Sequence, residues 1–535
     1  MSAAAPAAPR LWGIERKWIV ALAVTFGTLM GAIDASIVNV GLSQIRASVG
    51  ATMQEITWIS TGYSMATVLV MPLTGFFGRL FGQKRVYLFC LGLFVVGSAL
   101  CGLSWSLGSL IVFRIVQGFG AGALQPTEQA ILRQTFPPEE QGTAMALFTV
   151  AIMVGPAFGP TLGGLIVDNF HWSWIFFINL PIGVVGLFMV SRFVVEPEDL
   201  KAEMRALAAR QRKHMDWLGI ALLWTTLLAV QYVLEEGQSA DWFDSNLIVV
   251  LSLVAVFGGA AFILRELTTV VPAVNLRLFQ DRTFATGTLV SAATMSVMMS
   301  GMFLLPMFMQ ELLGYTATQS GMALMPRTLA MVVVMPLVGK FYNRFPPMLF
   351  AGLGLALCAW GQWGLAGLTL QSGRAEILAS ILLQGFGLSL LLVPLSTLAL
   401  SRIPRARLAD ATGLSSLIRQ IGASMGLATL STLLSRYIVE AHESLKWQLS
   451  PDRQEVVGRI GQTVADGVAH GLDLATAQGL GLGGLAGTVA RQGMVLGFEK
   501  TFAVGALLFV GCAPLVLLLR RPADAPVQKI HVEIE

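Results

Sequence analysis

Gln117-Gly118-Phe119-Gly120 recurs as Gln384-Gly385-Phe386-Gly387, and Met71-Pro72-Leu73-Thr74-Gly75 returns as Met335-Pro336-Leu337-Val338-Gly339. Pro126 is echoed by Pro394. The offsets are 267, 264 and 268 residues, a near-constant period that marks a duplicated unit. Both copies lie in apolar runs of roughly 20 residues, long enough to cross a bilayer as a helix. Such runs recur at 18–40, 56–77, 86–104, 108–132, 143–166, 174–194, 217–234, 247–265, 284–310, 321–340, 348–367, 376–401, 411–435 and 501–519. They lack alternation, which selects helices over a barrel. Lipid admits no other spanning structure. The expected fold is therefore an all-α membrane protein of fourteen spans. Spans 1–6 repeat as 9–14 in parallel, and spans 7 and 8 are an insertion between the two six-helix bundles. Parallel repeats of this kind form transporters, with the substrate path between the halves.

Composition agrees. The chain has 535 residues, of which 55% are hydrophobic and 12% charged, against about 25% charged in soluble proteins. Of the 35 Lys and Arg, the short external loops hold only Arg46 and Arg374 when the N-terminus is placed in the cytoplasm. That bias orients both termini inward. The layout is a cytoplasmic tail (1–17), a first bundle (18–194), a charged cytoplasmic linker (195–216), the inserted pair (217–265), a second bundle (284–519) and a cytoplasmic tail (520–535). The second bundle contains a periplasmic loop, 436–500, rich in Gly, Gln and Ala, which reads as too polar and too Gly-broken to span. Cys90, Cys101, Cys358 and Cys512 sit in apolar runs and read as buried hydrophobes. The first run is too long for a signal peptide and lacks an A-x-A exit.

Few side chains in these runs can carry chemistry. Asp34 lies roughly 24 Å along the first span, about 9 Å from its outer end. A lone carboxylate there must be paired, hydrated or protonated, so it serves either as a proton or substrate site or as a structural hydrogen-bond acceptor. Arg114, in the fourth span, lies at similar depth and suits an ion pair with Asp34, switchable or permanent. Glu128, nearer the cytoplasmic end of that span, is expected to face cytoplasmic water. In the fifth span Gly155, Pro156, Gly159, Pro160, Gly163 and Gly164 place small residues at i and i+4 and bend the helix, giving a packing seam that is either pliable for gating or static. Ten methionines fall between Met295 and Met335. Met295, Met299 and Met302 either line a plastic substrate cavity or fill core and lipid-facing space. Arg327 and Arg419 either attract anionic ligands to that cavity or cap carbonyls. The chain has no Walker loop, no metal-ligating cluster and no nucleophile elbow. That argues against ATP as fuel and against an enzyme or a signalling sensor.

These motifs resemble the major facilitator superfamily, and in particular its fourteen-helix drug:proton antiporters of the EmrB/QacA type. Ile33-Asp34-Ala35-Ser36-Ile37-Val38-Asn39-Val40 is similar to that group's first-helix signature, and Arg114 to Gly122 to the superfamily's fourth-helix motif. The Gly-Pro run 155–164 resembles the motif that marks antiporters, and Trp172 to Gly183 is also typical of the group. The cytoplasmic loop with Gly75, Arg79, Gly82, Lys84 and Arg85 resembles the superfamily's loop between helices 2 and 3. It departs where Arg79 replaces the usual Asp, so the charge contact between halves assigned to that Asp cannot be carried over. The long external segment is closer to the EmrB branch. The resemblance implies proton-coupled antiport of amphiphilic drugs or toxic compounds across a bacterial inner membrane. Asp34 and Arg114 would couple protons, the proton gradient would replace any cofactor, and nucleic acid would play no part. The partners it implies are a periplasmic membrane-fusion adaptor and an outer-membrane channel. The alternative is a major facilitator importer or exporter of one metabolite, working without an adaptor.

Overall fold

The computed structural model describes residues 10–11, 14–196, 207–209, 211–212, 215–449 and 453–517. Most of the N-terminal tail, much of the linker and the tail 520–535 lie outside the described residues. Among the described residues fourteen helices are long and apolar enough to cross a bilayer. They are α1 (Arg16–Val49), α2 (Gln54–Phe81), α3 (Gln83–Gly102), α4 (Leu107–Thr135), α5 (Pro138–Asn169), α6 (Trp174–Phe193) and α7 (Trp217–Glu236). After them come α8 (Asn246–Thr268), α9 (Arg282–Glu311), α10 (Thr318–Phe341), α11 (Pro347–Ala366), α12 (Arg374–Ala399), α13 (Arg405–Trp447) and α14 (Leu474–Leu517). The extended pairing among the described residues is one short antiparallel step, Arg10–Leu11 with Ile14–Glu15.

The duplication is visible in how the helices start and pack. The second helix of each half opens with the same reciprocal cap: Thr52 with Glu55 before α2, and Thr316 with Gln319 before α10. In each, side chain and backbone satisfy donors that the helix leaves free. A Cβ at Gly118 of α4 would lie 2.6 Å from the Tyr63 carbonyl oxygen of α2, and one at Gly385 of α12 2.6 Å from the Arg327 carbonyl oxygen of α10. Gly120 approaches the Phe94 amide of α3 as Gly387 approaches the Cys358 amide of α11. The recurring Gly-Phe-Gly therefore keeps a three-helix contact in each bundle that admits no side chain.

The inserted pair seats α7 against both halves. The Trp58 ring of α2 lies 6.0 Å from Tyr232, Trp224 Nε1 donates to the Leu69 carbonyl at 3.3 Å, and Gln231 donates to Ser424 Oγ of α13 at 3.0 Å. Its partner α8 exposes Val250, Leu253, Val256, Phe257 and Leu264, a lipid-facing surface. At the cytoplasmic base, Asp216 caps the Gly219 amide and pairs with Arg265 of α8 at 3.2 Å.

The segment 436–500 departs from the expected loop. One helix runs Leu408–Gln448, a second Gln454–Ala469, and a third Leu474–Gly511 without a break at its glycines. The last span thus begins well before residue 501. Each exposed Gly costs about 1 kcal/mol of helix propensity, which is why composition suggested a break. The helix survives because Gly497 and Gly493 lie against Ile438 and His442 of α13, so the two rods stay zipped beyond the bilayer.

Candidate functional site

Five helices converge on Asp34. Arg114 Nη1 donates to Asp34 Oδ2 at 2.6 Å, and the amides of Gln117 and Asn179 donate to Oδ1 at 2.9 and 2.8 Å. Gln117 Oε1 accepts in turn from Arg114 at 2.7 Å, closing a ring of three side chains. Asn179 also donates to Ser98 Oγ at 3.0 Å, and Arg114 Nε to the Ile59 carbonyl at 3.3 Å. The guanidinium lies 4.1 Å from the Tyr63 ring centroid and 5.7 Å from that of Phe176. Asp34 is 0% and Arg114 1% exposed. A buried pair repays its desolvation only with good geometry and further hydrogen bonds, and both are present. The two residues matched by depth in the sequence meet here. Gln117, Asn179, Ser98 and Tyr63 were not foreseen. Gln117 stands one turn from Arg114, and Asn179 is an isolated amide in an apolar run.

The small residues of α5 face this site from behind. Gly155, Gly159 and Gly163 abut Ala32, Ser36 and Ile37 of α1, on either side of Asp34, whereas Gly164 faces open space. The helix is continuous through Gln141–Asn169. The side chains of Pro156 and Pro160 lie outside the described residues.

Glu128 corrects its expectation. It is 0% exposed and turned toward α1, where its Oε1 accepts from the Thr25 hydroxyl at 3.1 Å. Around Glu128 the α4 sequence carries polar residues on several faces (Gln125, Thr127, Gln129), so periodicity did not show which one met water.

The cytoplasmic ends close the two halves on each other. Leu73 and Phe76 of α2 share one apolar cluster with Leu408, Ala409 and Leu414 of α13. A Cβ on Gly339 of α10 would meet the Gly142 carbonyl of α5 at 2.8 Å. Gln134 donates to the Arg405 carbonyl at 3.2 Å. Arg79 makes an ion pair with Asp410 of α13, and its Nε donates to Gln211 of the linker at 2.8 Å. The charge contact between halves therefore exists with its polarity reversed: the cation stands on the loop and the carboxylate on the partner helix. Gly75 makes room for it, since a Cβ there would overlap the Asp410 carboxyl. Gly82, at φ 88°, turns the loop so that the Lys84 amide donates to Glu196 Oε1 at 2.8 Å. Lys84 Nζ reaches the Ser191 carbonyl at 2.7 Å, and Arg85 is exposed.

In the second bundle Met298, Met331 and Met335 are core, with Met295 and Met299 packed at its edge and Met302 half-buried. Arg327 is buried and meets no carboxylate among the described residues. Arg419 donates to Ser416 Oγ at 2.9 Å and likewise lacks an acid. Arg327 lies about 14 Å from the start of α10 and Arg419 about 21 Å from the start of α13, so both stand well inside their spans. Among the described residues no three His, Cys, Asp or Glu side chains gather to hold a metal ion.

The family description "Major Facilitator Superfamily" matches residues 24–427. The fatty acid resistance protein FarB of Neisseria gonorrhoeae is 31% identical over 96% of this chain and 98% of its own. The multidrug export protein EmrB of Escherichia coli is 31% identical over 95% and 96%. Among solved structures, the proton:xylose symporter XylE superposes with a TM-score of 0.60 at 12% identity, covering 94% of this chain and 95% of its own, a likeness of fold. With its two parallel bundles, its inserted pair and relatives matched over nearly their whole length, the chain is a multi-pass membrane transporter of the EmrB type and belongs to the Major Facilitator Superfamily.

Proposed function

We propose that the chain is a secondary active transporter that exports amphiphilic toxic compounds from a bacterial cell in exchange for protons. The observation that carries this reading is the Asp34–Arg114 pair, buried and ringed by Gln117 and Asn179. A proton arriving at Asp34 cancels the charge that holds Arg114 and frees the ring to rearrange. Such a group couples protonation to shape, because a buried cation stripped of its partner must find another. The Gly155/Gly159/Gly163 seam lets α5 slide on α1 beside the pair. The cargo would sit between the bundles, where Arg327 and Arg419 lack acids and the edge methionines Met295, Met299 and Met302 yield to different shapes. Relatives named for fatty acid and multidrug resistance favour this class of cargo. The test uses everted membrane vesicles energised by a pH gradient. The full chain should drive uptake of the amphiphilic dye ethidium, and Asp34→Asn should abolish it while still inserting. Uptake by Asp34→Asn at the wild-type rate refutes the assignment.

The same reading places the protein in the inner membrane of a Gram-negative cell, as one part of a three-part pump. The external helices carry exposed Val457, Val468, Leu474, Leu480 and Leu482, an apolar face outside the membrane suited to a periplasmic adaptor. A toxicity panel in a pump-deleted host, with and without a co-expressed adaptor, tests this. Resistance that does not change with the adaptor rejects it.

A further inference from the structure

The fourth span is built in two pieces, Leu107–Ala121 and Leu124–Thr135, and the proton pair uses only the first. The second piece carries Glu128, whose carboxyl is as deeply buried as Asp34 but has no cation beside it among the described residues. Oε1 accepts from Thr25, while Oε2 finds no hydrogen-bond partner among the described residues. The Thr28 hydroxyl approaches the same carboxyl without closing a hydrogen bond of good geometry to it or to any other group among the described residues. From α3 the group that faces it is Tyr87, whose hydroxyl is engaged with the Val24 carbonyl at 2.5 Å. Arg133, on Glu128's own helix, faces Tyr342, the residue after α10, instead. Taking a lone carboxylate out of water costs several kcal/mol, a cost that a bound proton removes. Two neighbouring oxygens without partners are also what a bridging water needs.

We propose that Glu128 is a second proton-carrying carboxyl, set on the cytoplasmic side of Asp34 along the α1–α4 seam. Thr28 and Thr25 lie six and nine residues before Asp34 on α1, so the two acids stand about 9–14 Å apart along the membrane normal. The segment bearing Glu128 also packs against α13 of the second bundle, so separating the halves opens its surroundings to the cytoplasm. There the acid's O–H bond breaks, the proton passes to water, and the carboxylate left behind is hydrated. The cycle reverses when the halves close and the carboxyl regains a proton. The inference rests on the proton-exchange reading for its direction. Its test does not depend on Asp34.

Infrared spectroscopy of the lipid-reconstituted full chain reads the carbonyl stretch of protonated carboxyls, identified by its shift in heavy water. At neutral pH the band should be present, lost in Glu128→Gln and retained in Asp34→Asn. Its disappearance with rising pH should be reversible, and it should shift to lower pH in Arg79→Ala, or in Asp410→Asn if that variant folds poorly. A band unchanged by Glu128→Gln overturns the proposal. So does a Glu128 band that persists to strongly alkaline pH in both wild type and Arg79→Ala, which would make it a permanent structural acid. Failure of the Asp34 assignment would show separately, in the efflux assay.

Discussion

Removing Arg79 should unlatch the cytoplasmic side. Arg79 and Asp410 have side chains only 11% and 5% exposed. Arg79→Ala leaves the Asp410 charge enclosed beneath Gly75 without its ion-pair partner, only the field of Arg407 remaining, and breaking a buried pair from one side costs about 3–5 kcal/mol. That cost falls on the closed arrangement alone, because parting the halves gives Asp410 to water. At about 1.4 kcal/mol per tenfold, the open population should rise roughly 100-fold at the lower figure and several thousand-fold at the upper. Ala146, buried where α5 meets α10, reports it. The native cysteines are all buried, so the rate at which a charged maleimide applied from the cytoplasmic side labels Ala146→Cys tracks opening. The double variant Arg79→Ala with Asp410→Asn removes both charges and should recover most of the closure, giving a strong coupling in the double-mutant cycle. Wild-type labelling rates in Arg79→Ala, or a double variant whose effect is the sum of the singles, would refute the reasoning.

Two further outcomes follow from packing and charge. Gly159→Val puts a branched side chain where even a Cβ would lie 2.5 Å from Ser36 Cβ. It should cost about 1–3 kcal/mol of stability by overpacking, measured as earlier thermal unfolding in detergent, and should slow ethidium efflux, whereas Gly164→Val, facing open space, should leave both unchanged. For Asp216, burial works against its charge, but the Arg265 guanidinium, the Gly219 amide and Thr269 hold its carboxyl below the usual carboxylate range. Its contribution to anchoring the inserted pair is therefore full above the ordinary carboxylate pKa and is lost as pH falls through the lowered one. Asp216→Asn should remove that acid-dependent part of the melting profile, and identical profiles would contradict it.

The span count, the duplication and the meeting of Asp34 with Arg114 were legible because helix length, repeat offset and rise per residue are one-dimensional quantities. The ring around Asp34 was not. Asn179 reaches it from a helix 145 residues away, and nothing in its own run points to α1. Arg79 read as a lost contact because a motif compares residue types at one position. The structure preserves the pairing by moving the carboxylate to Asp410, which lies 331 residues on. Glu128 misled for a related reason: depth along a helix is readable, but where Gln125, Thr127, Glu128 and Gln129 put polar groups on several faces, the one that turns inward is not. The glycines of α14 misled because propensity weighs a helix alone, and this one is braced by its neighbour.

The helix that begins at Leu408 has 41 residues, about 60 Å of rod against a hydrocarbon core of about 30 Å. Roughly half of it stands clear of the lipid as a mast rooted in the second bundle. Any tilt of that bundle swings the masthead through a wider arc than the cavity wall itself. A neighbour gripping the far tip would feel each turn of the cycle as leverage, without touching the cargo.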